Sequence, residues 1–241
     1  MSLLDEYKTE IIGVSAEVAI ADYFNIAVNP DYRNRSNPKV VDLLIPLVPS
    51  LFSENNIPIP IEHIAEGLNS VDFELTNDKT LSVKSNQKKL GKVAPQVVGQ
   101  PTATTYFEHF HDLINEPIPD SYEDKAKLFK TFTINNIDTV IQRYWLYLFH
   151  CDFLIYFFDV LDKNGSLGKN PQALVLSKLE NPLWNKTKFT FTQTITSWNE
   201  SNTVKYEGLA IGEFQVHNNR DNFKFRFNLK NILTLINSGK L

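Results

Sequence analysis

The sequence predicts an α/β fold with further strands toward its C-terminus. Three observations carry that expectation. Residues 13–24 form a helix rich in Ala and Val, with almost no polar surface. Residues 71–85 alternate apolar and polar side chains around a turn, the period of half-buried strands. Residues 137–150, an apolar and aromatic helix, lead into 152–160, which reads as a core strand. Helices interspersed with strands of this length point to a sheet covered by helices.

Composition bounds the possibilities. A chain of 241 residues suits one large domain, or one core with an elaborated second lobe. Seventeen Phe and nine Tyr can fill a sizeable core. A net charge of −4 argues against nucleic-acid binding by bulk charge, but leaves room for a local basic cleft. The single cysteine, Cys151, lies in an apolar run, so no disulfide framework is expected and the compartment is a reducing one. The first residues carry neither a cationic region nor an apolar signal core. The aromatic stretch 144–161 is broken by His150, Asp152 and Asp159, so it does not read as a membrane span. The expectation is a soluble cytoplasmic protein.

Taken in order, the elements read as follows. In the helix at 13–24, Ser15 is the expected N-cap, and Glu17 stands out as an acid on a face that should be buried. A buried acid needs a cation, a metal or another partner, while an acid in a first turn can also serve the helix dipole. Residues 29–38 read as a polar loop with Arg33 and Arg35. Residues 40–55 read as helix interrupted by Pro46 and Pro49, 57–61 as extended chain, and 62–68 as a short helix. Beyond the alternating stretch, 102–113 reads as helix with His109 and His111 near its end, a spacing that puts them on different faces. Helices are also expected at 121–129 and 137–150, strands at 152–160, 173–176, 188–195 and 204–211, and a closing helix at 228–236.

The stretch 71–85 allows an argument about register. Opposed residues in an antiparallel pair share a face. A three-residue loop at Asn77-Asp78-Lys79 opposes Leu75 to Leu81 and Phe73 to Val83, and on the other face Glu74 to Ser82 and Asp72 to Lys84. A two-residue loop mixes the faces, so the three-residue loop is expected. That arrangement sets a carboxylate against an amine on one hairpin. A solvent-facing sheet with a cross-strand ion pair would look the same. Lys88, Lys89 and Lys92 follow in a loop close to Lys84, a local cationic cluster in an acidic chain. Further on, Gln215, His217, Arg220, Lys224 and Arg226 interleave with Phe214, Val216, Phe223, Phe225 and Phe227. Arg and Gln are side chains that pair bidentately with base edges in the major groove, although an exposed strand face also carries such residues.

Asp72, followed ten positions on by Ser82-Val83-Lys84 on the next strand, resembles the PD-(D/E)XK nuclease signature. The helix carrying Gly13, Glu17 and Ala21 is similar to the one that supplies a metal-site glutamate in that fold. Residues 83–100, with Gln96 and Gln100, and the segment 212–217 look like type II restriction endonucleases. The core resemblance covers about residues 13–100. Two departures stand out: Ser70-Val71 replaces the usual Pro before Asp72, and Ser82 replaces the acid of acid-x-Lys. Glu74, opposite Ser82 in the register above, Glu17 on the helix, and more distantly Glu108 could supply the missing acid, and Glu17 is favoured.

The resemblance implies a restriction-endonuclease-like mixed central sheet flanked by helices, with additional C-terminal strands. It implies one domain over 1–241, with a catalytic core at about 13–160 and a DNA-recognition elaboration at about 170–241. The expected activity is sequence-specific hydrolysis of double-stranded DNA with Mg2+. Asp72, Lys84, Glu17 and Ser82 form the catalytic set, and Asp72, Glu17 and Glu74 are the metal-ligand candidates. Lys88, Lys89, Lys92, Gln96, Gln215, His217, Arg220 and Arg226 are the DNA-binding candidates. A palindromic target favours a homodimer. The rivals are a nuclease of the same fold in DNA repair and a DNA-binding module with a degenerate site. A small-molecule enzyme built on the helix at 137–150 ranks last, for want of a phosphate loop or a nucleophile elbow.

Overall fold

The computed structural model describes residues 7–65, 71–217 and 220–241. In chain order the elements are α1 (Thr9–Phe24), α2 (Pro30–Arg33), α3 (Pro38–Leu44), α4 (Val48–Glu54), β1 (Pro60–His63), β2 (Phe73–Leu75), β3 (Lys79–Ser85) and β4 (Lys92–Val93). Then follow α5 (Ala103–His109), α6 (Tyr122–Asn135), α7 (Ile137–Phe149), β5 (Phe153–Phe158), β6 (Gln172–Ser177), β7 (Phe189–Phe191), β8 (Ser201–Tyr206), β9 (Leu209–Val216), β10 (Phe223–Asn228) and α8 (Leu229–Asn237). They assemble into two compact units, one of residues 1–91 and 149–179, the other of 92–148 and 180–241. This division cuts across the expected stretches 13–160 and 170–241. Among the described residues no helix is long and apolar enough to cross a membrane.

The first unit holds a five-stranded sheet in the order β1-β2-β3-β5-β6. Only the central pair, β3 and β5, is parallel. A parallel pair needs a long crossover, and here the crossover contains residues 92–148 of the second unit. The sheet is therefore mixed, as expected. Helix α1 packs on β3 and β1, with α3 also against it. Its residues from Val14 to Ala21 are all buried, the signature of a helix covered all round. It begins at Thr9, earlier than its composition suggested. Ser15 is not its N-cap: the hydroxyl donates to the Ile11 carbonyl at 2.7 Å and accepts from the Asn37 amide at 2.8 Å. Asn25, in the left-handed region at φ 58°, closes the helix.

Pro46 and Pro49 divide 38–54 into two helices and a 3-10 turn, as their missing donors require. Asn29 caps the short α2 where a loop was expected. The helix expected at 62–68 is overturned at its start, because Glu62 and His63 lie in β1, paired with Glu74 and Phe73. Residues 66–70 lie outside the described residues. Asp152 fastens β5 to β3. Its carboxylate accepts from Lys79 Nζ and the Thr80 amide, both at 3.0 Å, and from the Thr80 hydroxyl at 3.2 Å.

The second unit is an antiparallel sheet in the order β4-β10-β9-β8-β7. One sheet face carries Phe214, Phe223, Phe225 and Phe227, all buried. Phe129 of α6 stacks on Phe223, and Tyr144 of α7 on Phe225, each with ring centroids 4.3 Å apart. Gly212 is required in β9, since a Cβ there would stand 2.6 Å from the Phe225 ring. The single strand expected at 204–211 is instead a hairpin. Glu207 and Gly208 take φ 50° and 80°, the left-handed pair of a two-residue turn, and join β8 to β9. Of the strand expected at 188–195, only β7 forms. Helix α8 falls where expected, with the Asn228 side chain as its cap.

Candidate active site

The site grows from the hairpin of β2 and β3, and its register differs by two residues from the expected one. Phe73 opposes Leu81, Glu74 opposes Thr80 and Leu75 opposes Lys79. The loop is Thr76-Asn77-Asp78, with Asn77 at φ 63° and Asp78 at φ 55°. Asn and Asp tolerate the left-handed region and Lys79 does not favour it, so the turn moves back to place them there. A shift of two preserves the faces and exchanges the partners. Asp72 now lies across from Ser82, its amide donating to the Leu81 carbonyl at 2.9 Å. The opposition of Glu74 to Ser82 is lost, and with it the argument that offered Glu74 as the replacement acid. Glu74 is exposed on β2.

Asp72 and Ser82 are both buried. Asp72 Oδ2 accepts from the Ser82 hydroxyl at 3.0 Å, from the Val83 amide at 2.5 Å and from Lys84 Nζ at 3.5 Å. The lysine also donates to the Val83 carbonyl at 3.1 Å. Ser82 thus acts as a neutral donor that orients the aspartate, where an acid would have added a second negative charge. Lys84 keeps its ammonium beside the carboxylate with a side chain only 14% exposed.

Glu17 enters from α1. It is buried, and its Oε2 accepts from the Tyr32 hydroxyl at 2.7 Å and faces His63 Nε2 at 3.0 Å. Burial pushes the Glu17 carboxyl above its ordinary pKa. The hydrogen bond with His63 opposes that shift, the charge of Asp72 adds to it, and Tyr32 opposes it. Glu17 and Asp72 are therefore close enough to repel. Tyr32 is held protonated, raised first by burial and then by Glu17, so it remains a donor. Tyr32 and Phe73 both make ring contacts with His63, at 4.9 and 5.0 Å.

The structure thus places Glu17, Asp72, Ser82 and Lys84 in one unit, with Ser82 and Lys84 hydrogen-bonded to Asp72 and the charge of Asp72 acting on Glu17. Sequence reasoning missed Tyr32 and His63. The sequence places one in a loop and the other in a helix, and they lie 15 and 46 positions from Glu17. The only signal was the need of a buried acid for partners. Glu108 belongs to the second unit.

The DNA-binding candidates divide between the units. Lys88 and Lys89 are exposed in the first, with Lys88 Nζ 3.4 Å from the Lys163 carbonyl. Lys92, Gln96, Gln215, His217, Arg220 and Arg226 belong to the second, so the loop lysines do not form one cluster within a unit. Lys92, Gln215 and Arg226 converge on Glu213 Oε2, at 2.6, 3.3 and 3.0 Å. Gln96 and His217 are half-buried and Arg220 is exposed. His217 and Arg220 lie between β9 and β10, outside both strands.

An aspartate, a hydroxyl and an ammonium on adjacent strands, with a helical glutamate in repulsive range, define a candidate site for polar hydrolytic chemistry. The chain is similar to the type II restriction enzyme CviAII of Paramecium bursaria Chlorella virus 1, with 35% identity over 177 residues. The match covers 73% of this chain and 46% of that protein, so the chain spans less than half the length of the relative. No protein-family model matches the chain, and no solved structure matches it at a significant level.

Proposed function

We propose that the chain is a site-specific deoxyribonuclease of the type II restriction kind, with the PD-(D/E)XK arrangement, hydrolysing phosphodiester bonds in double-stranded DNA. The observation that carries this reading is the convergence of Ser82 and Lys84 on Asp72, with Glu17 in electrostatic range. The similarity to CviAII supports it. Repulsion between two buried carboxylates is what a divalent cation relieves, so the pair fits Mg2+. Among the described residues no group of three or more His, Cys, Asp or Glu is placed to hold a metal ion. Mg2+ suits such a site, since it binds through one or two carboxylates and takes its remaining ligands from water and substrate phosphate.

Asp72 and Glu17 would hold the ion, which when bound supplies Lewis-acid activation of water and charge for the phosphate. Ser82 and the Val83 amide fix the aspartate's orientation. Lys84 neutralises charge growing on the scissile phosphate and orients the attacking water. Tyr32 and His63 hold Glu17 in place. Lys88 and Lys89 contact backbone phosphates, which position the duplex without reading it. Gln96, Gln215, His217, Arg220, Arg226 and Lys92 supply the recognition surface. A homodimer in the cytoplasm completes the reading.

The test is incubation of a mixed-sequence plasmid with Mg2+ and the native protein or Lys84→Ala. Discrete fragments that are lost in the variant support the reading. Binding without cleavage would instead favour a DNA-binding module with a degenerate site, the reading that Ser82 in place of an acid supports. Specific cutting of damaged or branched DNA alone would favour repair.

A further inference from the structure

The polar face of the second unit's sheet has an arrangement that DNA binding alone does not explain. Directly opposed residues share a face, and the register sets Lys224 against Gln215, and Arg226 and Thr203 against Glu213. Three cations, Lys92, Lys224 and Arg226, therefore occupy one face with Glu213 among them. Glu213 is less exposed than the two cations it pairs with, its side chain 15% exposed against 41% for Lys92 and 31% for Arg226. Its carboxylate is held below the ordinary range: burial opposes this, and Lys92 and then Arg226 outweigh it. Lys224 is also lowered, first by burial and then by repulsion from Arg226 and Arg220. Arg226 Nε is buried without a hydrogen-bond partner among the described residues. The face thus has more cationic capacity than its one carboxylate satisfies, yet that carboxylate takes up the two best-placed cations.

We infer that Glu213 is a specificity-determining residue, an internal counter-anion that occupies Lys92 and Arg226 in place of a nucleic-acid phosphate. It releases them only to a duplex whose base edges also engage Gln215. Gln215 bonds to the same carboxylate oxygen, so engaging its amide elsewhere removes one of the three hydrogen bonds holding the latch closed. On unrelated DNA the latch stays shut and the face contributes little. The inference rests on the nucleic-acid reading above and adds a reason why an acid lies at the centre of the binding face.

The experiment measures affinity of the full chain for a mixed-sequence duplex without divalent cations, by fluorescence anisotropy over a range of salt. Native protein, Glu213→Gln, Arg226→Ala and the double variant are compared. Each phosphate contact contributes about 0.9 to the slope of log affinity against log salt. Glu213→Gln, which frees two cations, should tighten binding at least about tenfold at low salt and steepen that slope by about 1–2. Arg226→Ala should remove about 1 from the slope in the Glu213→Gln background, so that the double variant falls back toward the native slope.

A slope unchanged by Glu213→Gln overturns the inference. So does a double variant whose slope matches that of Glu213→Gln, and Glu213→Ala, measured in the same way, takes the place of Glu213→Gln if that variant folds poorly. If the native protein binds duplex and loses affinity on Lys88→Ala with Lys89→Ala, while Glu213→Gln has no effect, only the inference falls. If the folded native protein binds no duplex at any salt, the nucleic-acid reading falls and takes the inference with it.

Discussion

Glu17 and Glu213 are both recessed carboxylates with several hydrogen bonds, and their surroundings push them in opposite directions. Glu17 has Tyr32 and His63 within hydrogen-bond distance and a like charge in Asp72, and burial prevails, so its pKa rises. Glu213 has two full cations within hydrogen-bond distance, and its pKa falls despite burial. The number of hydrogen bonds does not separate them; the sign of the neighbouring charge does. One carboxylate is bonded to a tyrosine and a histidine, the other to a lysine and an arginine. The proposed roles require such a difference, a metal ligand in Glu17 and a displaceable counter-anion in Glu213.

The comparison breaks first on cleavage. Asp72→Ala should abolish cutting of plasmid DNA while sparing much of the DNA affinity, and Lys84→Ala should slow it by about 100-fold or more. Single-turnover cleavage with Mg2+, alongside anisotropy, separates the two effects. An Asp72→Ala protein that cuts normally would remove the metal assignment.

Glu17→Gln should also abolish cutting, and it should stabilise the first unit at neutral pH. A carboxyl whose folded pKa is raised gives stability that is fully present below its unfolded pKa and is lost as pH rises through the folded one. The amide never carries the charge, so the variant should melt about 2–4 °C above the native protein at pH 8, and the gap should close toward pH 4. A variant that melts lower at pH 8 would mean that Glu17 is already paired with a cation.

Glu213 should show the reverse. A depressed carboxylate gives stability that is present above its unfolded pKa and lost as pH falls through the folded one. Native protein should therefore lose stability in acid more steeply than Glu213→Gln, as pH-dependent thermal melts would show. Equal acid limbs would mean that Lys92 and Arg226 do not hold the carboxylate. Among purely structural changes, Gly212→Ala should destabilise the second unit by about 1–3 kcal/mol, because the buried Phe225 ring must shift. Asp152→Ala should destabilise the first by a similar amount, about 1–3 kcal/mol, by orphaning the Thr80 amide.

Much of this was legible in the sequence where periodicity was strong. The paired strands at 71–85, the buried α1 and the interrupted helix at 38–54 follow from alternation, composition and proline. The register did not, because two three-residue loops keep the same faces, and only the left-handed preference of Asn77 and Asp78 chooses between them. The hairpin of β8 and β9 was hidden by Glu207, an unusual residue for the first turn position. Glu213 carries no local signal, because an acid between Gly212 and Phe214 reads as an ordinary polar position of a strand. Its role depends on pairing with Lys92, 121 positions away. Interdigitation of the two units along the chain could not be read from a pattern that is local.

The most direct measurement is the thermal midpoint of the native protein, Glu17→Gln and Asp72→Asn with and without saturating Mg2+, at ionic strength matched with NaCl. If the two carboxylates form a cation site, Mg2+ raises the native midpoint and leaves both variants unmoved. A shift of equal size in all three proteins would contradict it.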